Sequence, residues 1–140
     1  MNRRHLMKRH LGGIAIIDGT DHELLWPDEY GHQETAIDMP LETGQGTVAV
    51  RVPHLKFGGE VRVELMLNAE AKADGTVLVS GAAKLYEGAS ERTTDLDDEK
   101  RVVLQVPKGG VPTVHRVALG KPKKDRAEIL ICLTNAVAEP

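Results

Sequence analysis

Two stretches of this chain carry enough oxygen and nitrogen donors to do chemistry. The first is residues 87–100, EGASERTTDLDDEK, where Glu87, Glu91, Asp95, Asp97, Asp98 and Glu99 cluster within fourteen positions. Carboxylates are the hard ligands that Ca²⁺ gathers in sets of about six to eight. The glycine and terminal glutamate of an EF-hand loop are missing at the required spacing. Arg92, Lys100 and Arg101 offset part of the charge. Acidic loops are usually just solvated, so Ca²⁺ stands here as the functional alternative to ordinary loop solvation. The second stretch is Asp18-Gly19-Thr20-Asp21-His22-Glu23, with Asp28, Glu29 and His32 downstream. Asp18, Asp21 and His22 offer the mixed nitrogen and oxygen donors of a transition-metal site. Their spacing fits no metalloenzyme signature. A metal or ligand site becomes the leading idea only if the 18–32 and 87–100 stretches converge.

Nucleophilic chemistry has thinner support. Cys132 and His115 form the one conceivable cysteine–histidine pair. Cys132, however, alternates within Ile129-Leu130-Ile131-Cys132-Leu133, the setting of a small buried hydrophobe. A nucleophile also needs a base within hydrogen-bond reach and a group to orient that base. Ser80 and Ser90 lie in no nucleophile-elbow pattern. Gly109-Gly110 leads into a strand, whereas a phosphate-cradling loop should open a helix. No catalytic residues and no cofactor other than Ca²⁺ are therefore expected.

Such groups must be held by a scaffold, and the residues from Glu60 to Gly88 are its clearest part. Val61, Val63, Leu65, Leu67, Ala69 and Ala71 alternate with polar residues, as do Val77, Val79, Gly81, Ala83 and Leu85. A period of two marks strands with one buried face. A two-residue Asp74-Gly75 loop would set Leu65 opposite Lys84 and carry a lysine into the apolar face. A three-residue loop, Ala73-Asp74-Gly75, sets Ala71 opposite Val77 and keeps every apolar residue on one side. The three-residue loop is the expectation. Small residues at 69, 71, 81 and 83 suggest that the covering layer comes close at the turn end.

Further strands are expected at Gly13 to Ile17, Gln33 to Leu41, Gly46 to Leu55, Arg101 to Val106, Val114 to Leu119 and Ala127 to Leu133. Pro40 confines its strand to an edge or ends it, while the last strand, apolar on both faces, should be central. Leu24, Leu25 and Trp26 are expected to plug one end of the core. About eight short strands without helical periodicity predict an all-β, antiparallel β-sandwich of Greek-key or jelly-roll type, with a closed barrel as the alternative. One domain over 13–140 would follow a basic tail at 1–12.

Composition narrows the partners. The 140-residue chain has a formal net charge of −3 and only 3% aromatic residues. Nucleic-acid binding is not expected without bulk basicity or stacking platforms. No apolar run reaches the length of a membrane span. Arg3-Arg4 precedes too short an apolar segment for an export signal. With a single cysteine, this points to the cytoplasm, unless the chain is a fragment of a larger secreted protein. The basic tail (Arg3, Arg4, Lys8, Arg9) could dock on an acidic surface. The basic turn Lys121, Lys123, Lys124 and Arg126 could pair with the acidic loop of another copy, a contact that builds rings or filaments. The leading expectation is a non-catalytic interaction or assembly module, oligomeric through a protein partner or itself. A Ca²⁺-dependent module using residues 87–100 comes second, and a small metal-dependent enzyme using residues 18–32 third.

Overall fold

A computed structural model describes residues 6–138. Its strands are β1 (Lys8–Asp21), β2 (Glu29–Glu42), β3 (Val48–Val50), β4 (Leu55–Phe57), β5 (Val61–Ala71), β6 (Val77–Glu87), β7 (Leu96–Val106), β8 (Thr113–Gly120) and β9 (Arg126–Val137). One sheet has the order β2-β1-β9-β8; the other has β3-β5-β6-β7, with β4 also paired to β5. All pairings are antiparallel. The two sheets pack face to face and do not close into a barrel, so the fold is a sandwich. Among the described residues, no helix is long and apolar enough to cross a membrane.

The β5–β6 hairpin has the register its apolar pattern demands. Ala71 faces Val77, Ala69 faces Val79, Leu67 faces Gly81 and Leu65 faces Ala83. Lys72 N donates to Thr76 O at 2.7 Å, closing a three-residue loop, and Gly75 N donates to Lys72 O at 2.9 Å. Gly75 sits at φ 90°, a left-handed conformation that glycine adopts without a Cβ penalty. Gly81 is small for a reason within its own sheet. A Cβ there would come within 1.8 Å of the Met66 carbonyl oxygen on the neighbouring strand.

Several boundaries differ from expectation. β1 begins at Lys8, not Gly13, so part of the anticipated basic tail is strand; Arg3 and Arg4 lie outside the described residues. Arg9 shares the inward face of Leu11 and is buried. The strand expected over Gly46 to Leu55 is two short ones, β3 and β4, split by Arg51–His54 around Pro53, which raises the count to nine. β7 starts at Leu96, which converts Asp97, Asp98 and Glu99 from loop to strand. Leu24, Leu25 and Trp26 do not plug the core: they are 91%, 88% and 74% exposed. Pro40 does lie on an edge strand and β9 is central, as read.

The turn end of the hairpin is held by a buried polar pin. Asn135 on β9 is fully buried. Its Nδ2 donates to the Gly75 and Val106 carbonyl oxygens, each at 2.8 Å. Arg9 Nε donates to Asn135 Oδ1 at 2.8 Å. The Asn135 carbonyl oxygen accepts from Arg9 Nη2 and from the Gly109 and Gly110 amides, each at 3.2 Å. A buried guanidinium is tolerated because its donors find acceptors.

Candidate cation site

At the opposite end, strand termini from both sheets bring carboxylates together. The glycines near the β1–β2 loop explain how. A Cβ on Gly19 or Gly31 would fall 2.2 Å or 2.6 Å from the Phe57 ring, so only glycine lets that ring seat against the β1–β2 pair. Seating Phe57 carries the following turn onto the end of β1. Gly58, at φ 65°, then lies so close to Asp21 that a Cβ would meet its Oδ2 at 2.1 Å. Two residues later the chain supplies Glu60. One carboxylate oxygen each of Asp21, Glu23 and Glu60 lies within 4.8 Å of the others.

Asp125, from the β8–β9 turn, joins this triplet to a second group. Its Oδ1 accepts the His22 amide at 2.8 Å. Its charge acts on both Asp21 and Glu87, and the Glu87 carboxyl, when protonated, hydrogen-bonds to it. Asp97 and Glu60 also act on Glu87. Glu87 and Asp97 border a cleft of about 480 Å³, lined in addition by Asp98, Gly120, Lys121 and Lys124.

Burial and like charge perturb these groups strongly. Asp21 is 1% exposed, and its carboxyl is pushed up to about 7, first by burial, then by the charge of Asp125 and a hydrogen bond to that carboxyl when a proton is shared, then by Glu23 and Glu60. Glu87 is also raised to about 7, first by its hydrogen bond to Asp125, then by partial burial and the neighbouring acids. Among the described residues, Asp21 Oδ2 is the buried side-chain oxygen with no hydrogen-bond partner. An ionised carboxylate is expensive to bury without a donor or a cation. Either a proton or a bound cation relieves it.

The residues singled out from sequence divide between this centre and other duties. Asp21, Glu87 and Asp97 face the cluster. Glu91 instead accepts the Gly59 amide at 3.0 Å. Asp98 accepts the Gly120 amide at 2.8 Å, tying β7 to β8. Glu99 pairs with Lys84 at 3.7 Å. Asp95 is exposed and takes part through its backbone, its carbonyl accepting the Glu87 amide at 3.1 Å. Asp18, three residues from Asp21 and therefore on the other face of β1, pairs with His32 on the outer surface and raises its pKa. The His22 ring contacts Asp28 at 3.1 Å. Asp18, Asp21 and His22 thus do not form one donor set.

Glu60 and Asp125 were missed. The first reads as the polar start of a hairpin, and the second is hidden at the end of the basic run GKPKKD. Nothing in the local pattern of either signals a site. The 18–32 and 87–100 stretches meet through Asp21 and Glu87, both of which feel Glu60 and Asp125. Cys132 is half-buried on β9, and its register partners are Ile14 and Val114. Comparison with protein-family models, curated proteins and solved structures finds no match for this chain.

Proposed function

We propose that this β-sandwich is a divalent-cation-binding module, with the ion held by Asp21, Glu23 and Glu60 and drawn in by Asp125, Glu87 and Asp97. The observation that carries the reading is Asp21: a buried carboxylate, among other acids, with one oxygen that meets no donor of the fold, its hydrogen bond to Asp125 requiring a shared proton. The donor set is all oxygen, which favours a hard ion over zinc or copper. Ca²⁺ fits better than Mg²⁺, because Ca²⁺ accepts irregular carboxylate sets while Mg²⁺ demands a near-ideal octahedron. Two oxygens on opposite sides of a Ca²⁺ are about 4.8 Å apart at its usual bond length, and the three carboxylate oxygens fall within that span.

Calorimetric titration with Ca²⁺ at pH 8 tests this. Binding heat should appear together with a raised melting temperature, since a ligand of the native state stabilises by about 2.7 kcal/mol at a hundred times its dissociation constant. Glu60→Gln should abolish both. Absence of heat and of any melting shift overturns the reading.

Assembly is a second reading, supported by a different observation. Val114, Cys132, Ile14 and Ala36 lie in one register row across the outer face of the β2-β1-β9-β8 sheet. Val114 is 54% exposed. Light scattering after size exclusion reads the mass directly, and a monomer at high concentration and low salt sinks this second role.

A further inference from the structure

The β1–β2 loop ends in three apolar side chains that the core does not use. Leu24, Leu25 and Trp26 are largely exposed, and Tyr30 near the start of β2 is 72% exposed. A protein surface holds scattered apolar residues at no special cost, but three in succession on one projecting tip are unusual. The loop beneath them is braced. Asp28 Oδ1 accepts the Glu23 amide at 3.1 Å and meets the His22 ring, closing the neck of the loop. That amide hydrogen bond and His22 hold the Asp28 carboxyl below its usual range, so the brace stays ionised. The neck is also tied to Asp125 through the His22 amide. The apolar tip is thus presented by its base.

Asp125 ends the turn that carries Lys121, Lys123 and Lys124, all exposed. That turn is closed by Lys124 N donating to Lys121 O at 3.1 Å and by Arg126 Nη1 donating to Lys124 O at 3.1 Å. One end of the sandwich therefore combines a Leu-Leu-Trp tip, a lysine turn and the carboxylate cluster. Leucine with tryptophan is the composition that partitions into the headgroup boundary of a bilayer. Lysines close to such a tip are attracted to anionic headgroups. A projecting tip suits a penetrable surface, whereas a protein partner would need a matching groove.

We propose that this end docks on the surface of an anionic lipid bilayer when the cation site is loaded. The proposal rests on the cation reading given above. Without the ion, Asp21, Glu23, Glu60, Glu87, Asp97 and Asp125, with Asp28 in the neck of the loop, oppose an anionic surface and offset Lys121, Lys123, Lys124 and Arg126. A bound divalent cation cancels part of that negative field, leaving the lysine turn and the apolar tip to engage.

Co-sedimentation of the full chain with vesicles tests this, using phosphatidylcholine alone or mixed with phosphatidylserine, in Ca²⁺ or in chelator. Calorimetry of Ca²⁺ binding without lipid runs in parallel. Binding to the phosphatidylserine vesicles in Ca²⁺ should exceed the other three conditions by roughly tenfold or more. Trp26, the single tryptophan, should shift its emission to the blue. The triple variant Leu24→Ser, Leu25→Ser, Trp26→Ser should keep the calorimetric Ca²⁺ binding and lose the vesicles; Glu60→Gln should lose both. If the wild type binds Ca²⁺ but no vesicle, docking is overturned while the cation site stands. If Ca²⁺ heat is absent, both readings fall, and vesicle binding indifferent to Ca²⁺ overturns the coupling. Lipid-free self-association that the triple variant removes would assign the tip to a second copy instead.

Discussion

The two ends of this sandwich bury polar groups under opposite conditions. At the hairpin-turn end, Arg9 and Asn135 are 5% and 0% exposed, bond to each other within one sheet, and through Asn135 Nδ2 reach the Gly75 and Val106 carbonyls of the other. At the other end, Asp21 and Asp125 are 1% and 5% exposed, like charges press on each other, and Asp21 Oδ2 has no donor. Burial is equal; satisfaction is not. A buried group whose partners are present is explained by the fold it holds together. A buried charge whose partner is missing is strained unless something from outside completes it. The difference separates a pin from a candidate site without any appeal to homology.

Breaking the pin should give the largest effect. Asn135→Ala leaves Arg9 Nε, the Gly75 carbonyl and the Val106 carbonyl without their partners in a buried place. A loss of about 2–4 kcal/mol is expected in urea unfolding, because orphaned buried groups keep their full desolvation penalty. Ca²⁺ affinity should be unchanged in whatever fraction stays folded. The double change Arg9→Met, Asn135→Leu should recover part of the loss by removing the charge as well. A variant as stable as wild type would show that the Asn135 bonds do not pin the sheets.

The pin and the cluster also differ in how far they could be seen from sequence. The hairpin register was legible because its alternation and its three-residue turn agree, and a slip of one residue would have turned the apolar face outward. The edge position of Pro40 followed from its missing amide hydrogen. Arg9 was not legible. It reads as one of four solvated charges in a basic tail, and what makes it buried is an asparagine 126 positions away. The cation cluster was half legible: the acid-rich stretches were visible, but not which of their members turn inward. Asp98 pairs with Leu85 and Leu96 with Tyr86, so Asp97 is the extra residue of a bulge, which no alternation pattern foretells. Asp97 joins the cluster; Asp98 clips a neighbouring backbone amide. The exposed Leu24, Leu25 and Trp26 were misread because apolar residues near a chain reversal usually close a core. Here the neck bonds of Asp28 hold them away from it.

Neutralising the cluster should act with the opposite sign from breaking the pin. Asp21 and Glu87 have folded-state pKa values near 7, above their ordinary values of 3.8 and 4.5. Between those limits the folded chain holds more protons than the unfolded one, so their stabilising contribution is present at pH 4 and lost as pH rises toward 7. For the cation-free protein the slope is up to about 1.4 kcal/mol per pH unit for each fully shifted group, and solvent reduces it for the exposed Glu87. Asp21→Asn removes the charge, so at pH 8 it should raise cation-free stability by about 1–2 kcal/mol and flatten the slope. At pH 4, where Asp21 is already protonated in the folded state, the same variant should gain nothing. The Ca²⁺-induced rise in melting temperature should be greater at pH 8 than at pH 5, where protons compete for the same oxygens, and should vanish in Asp21→Asn. Thermal unfolding across pH, with Ca²⁺ and with chelator, gives all four comparisons. A destabilised Asp21→Asn at pH 8 would mean that the carboxylate is already satisfied, which would erase the contrast between the two ends.

The smallest effect expected comes from Gly75, and it separates backbone strain from polar satisfaction at the pinned end. Gly75 holds φ 90°, and a Cβ there would approach the Lys108 Cδ and Met7 Sδ atoms at 3.2 Å. Both are parts of flexible side chains that can give way, so Gly75→Ala should cost about 1 kcal/mol, mainly for the left-handed backbone. The Gly75 carbonyl still accepts from Asn135 Nδ2 in that variant, so the pin survives. Stability should therefore fall much less than in Asn135→Ala, with Ca²⁺ binding untouched. If Gly75→Ala instead matched Asn135→Ala in urea unfolding, the turn geometry and not the asparagine would be what joins the sheets at this end.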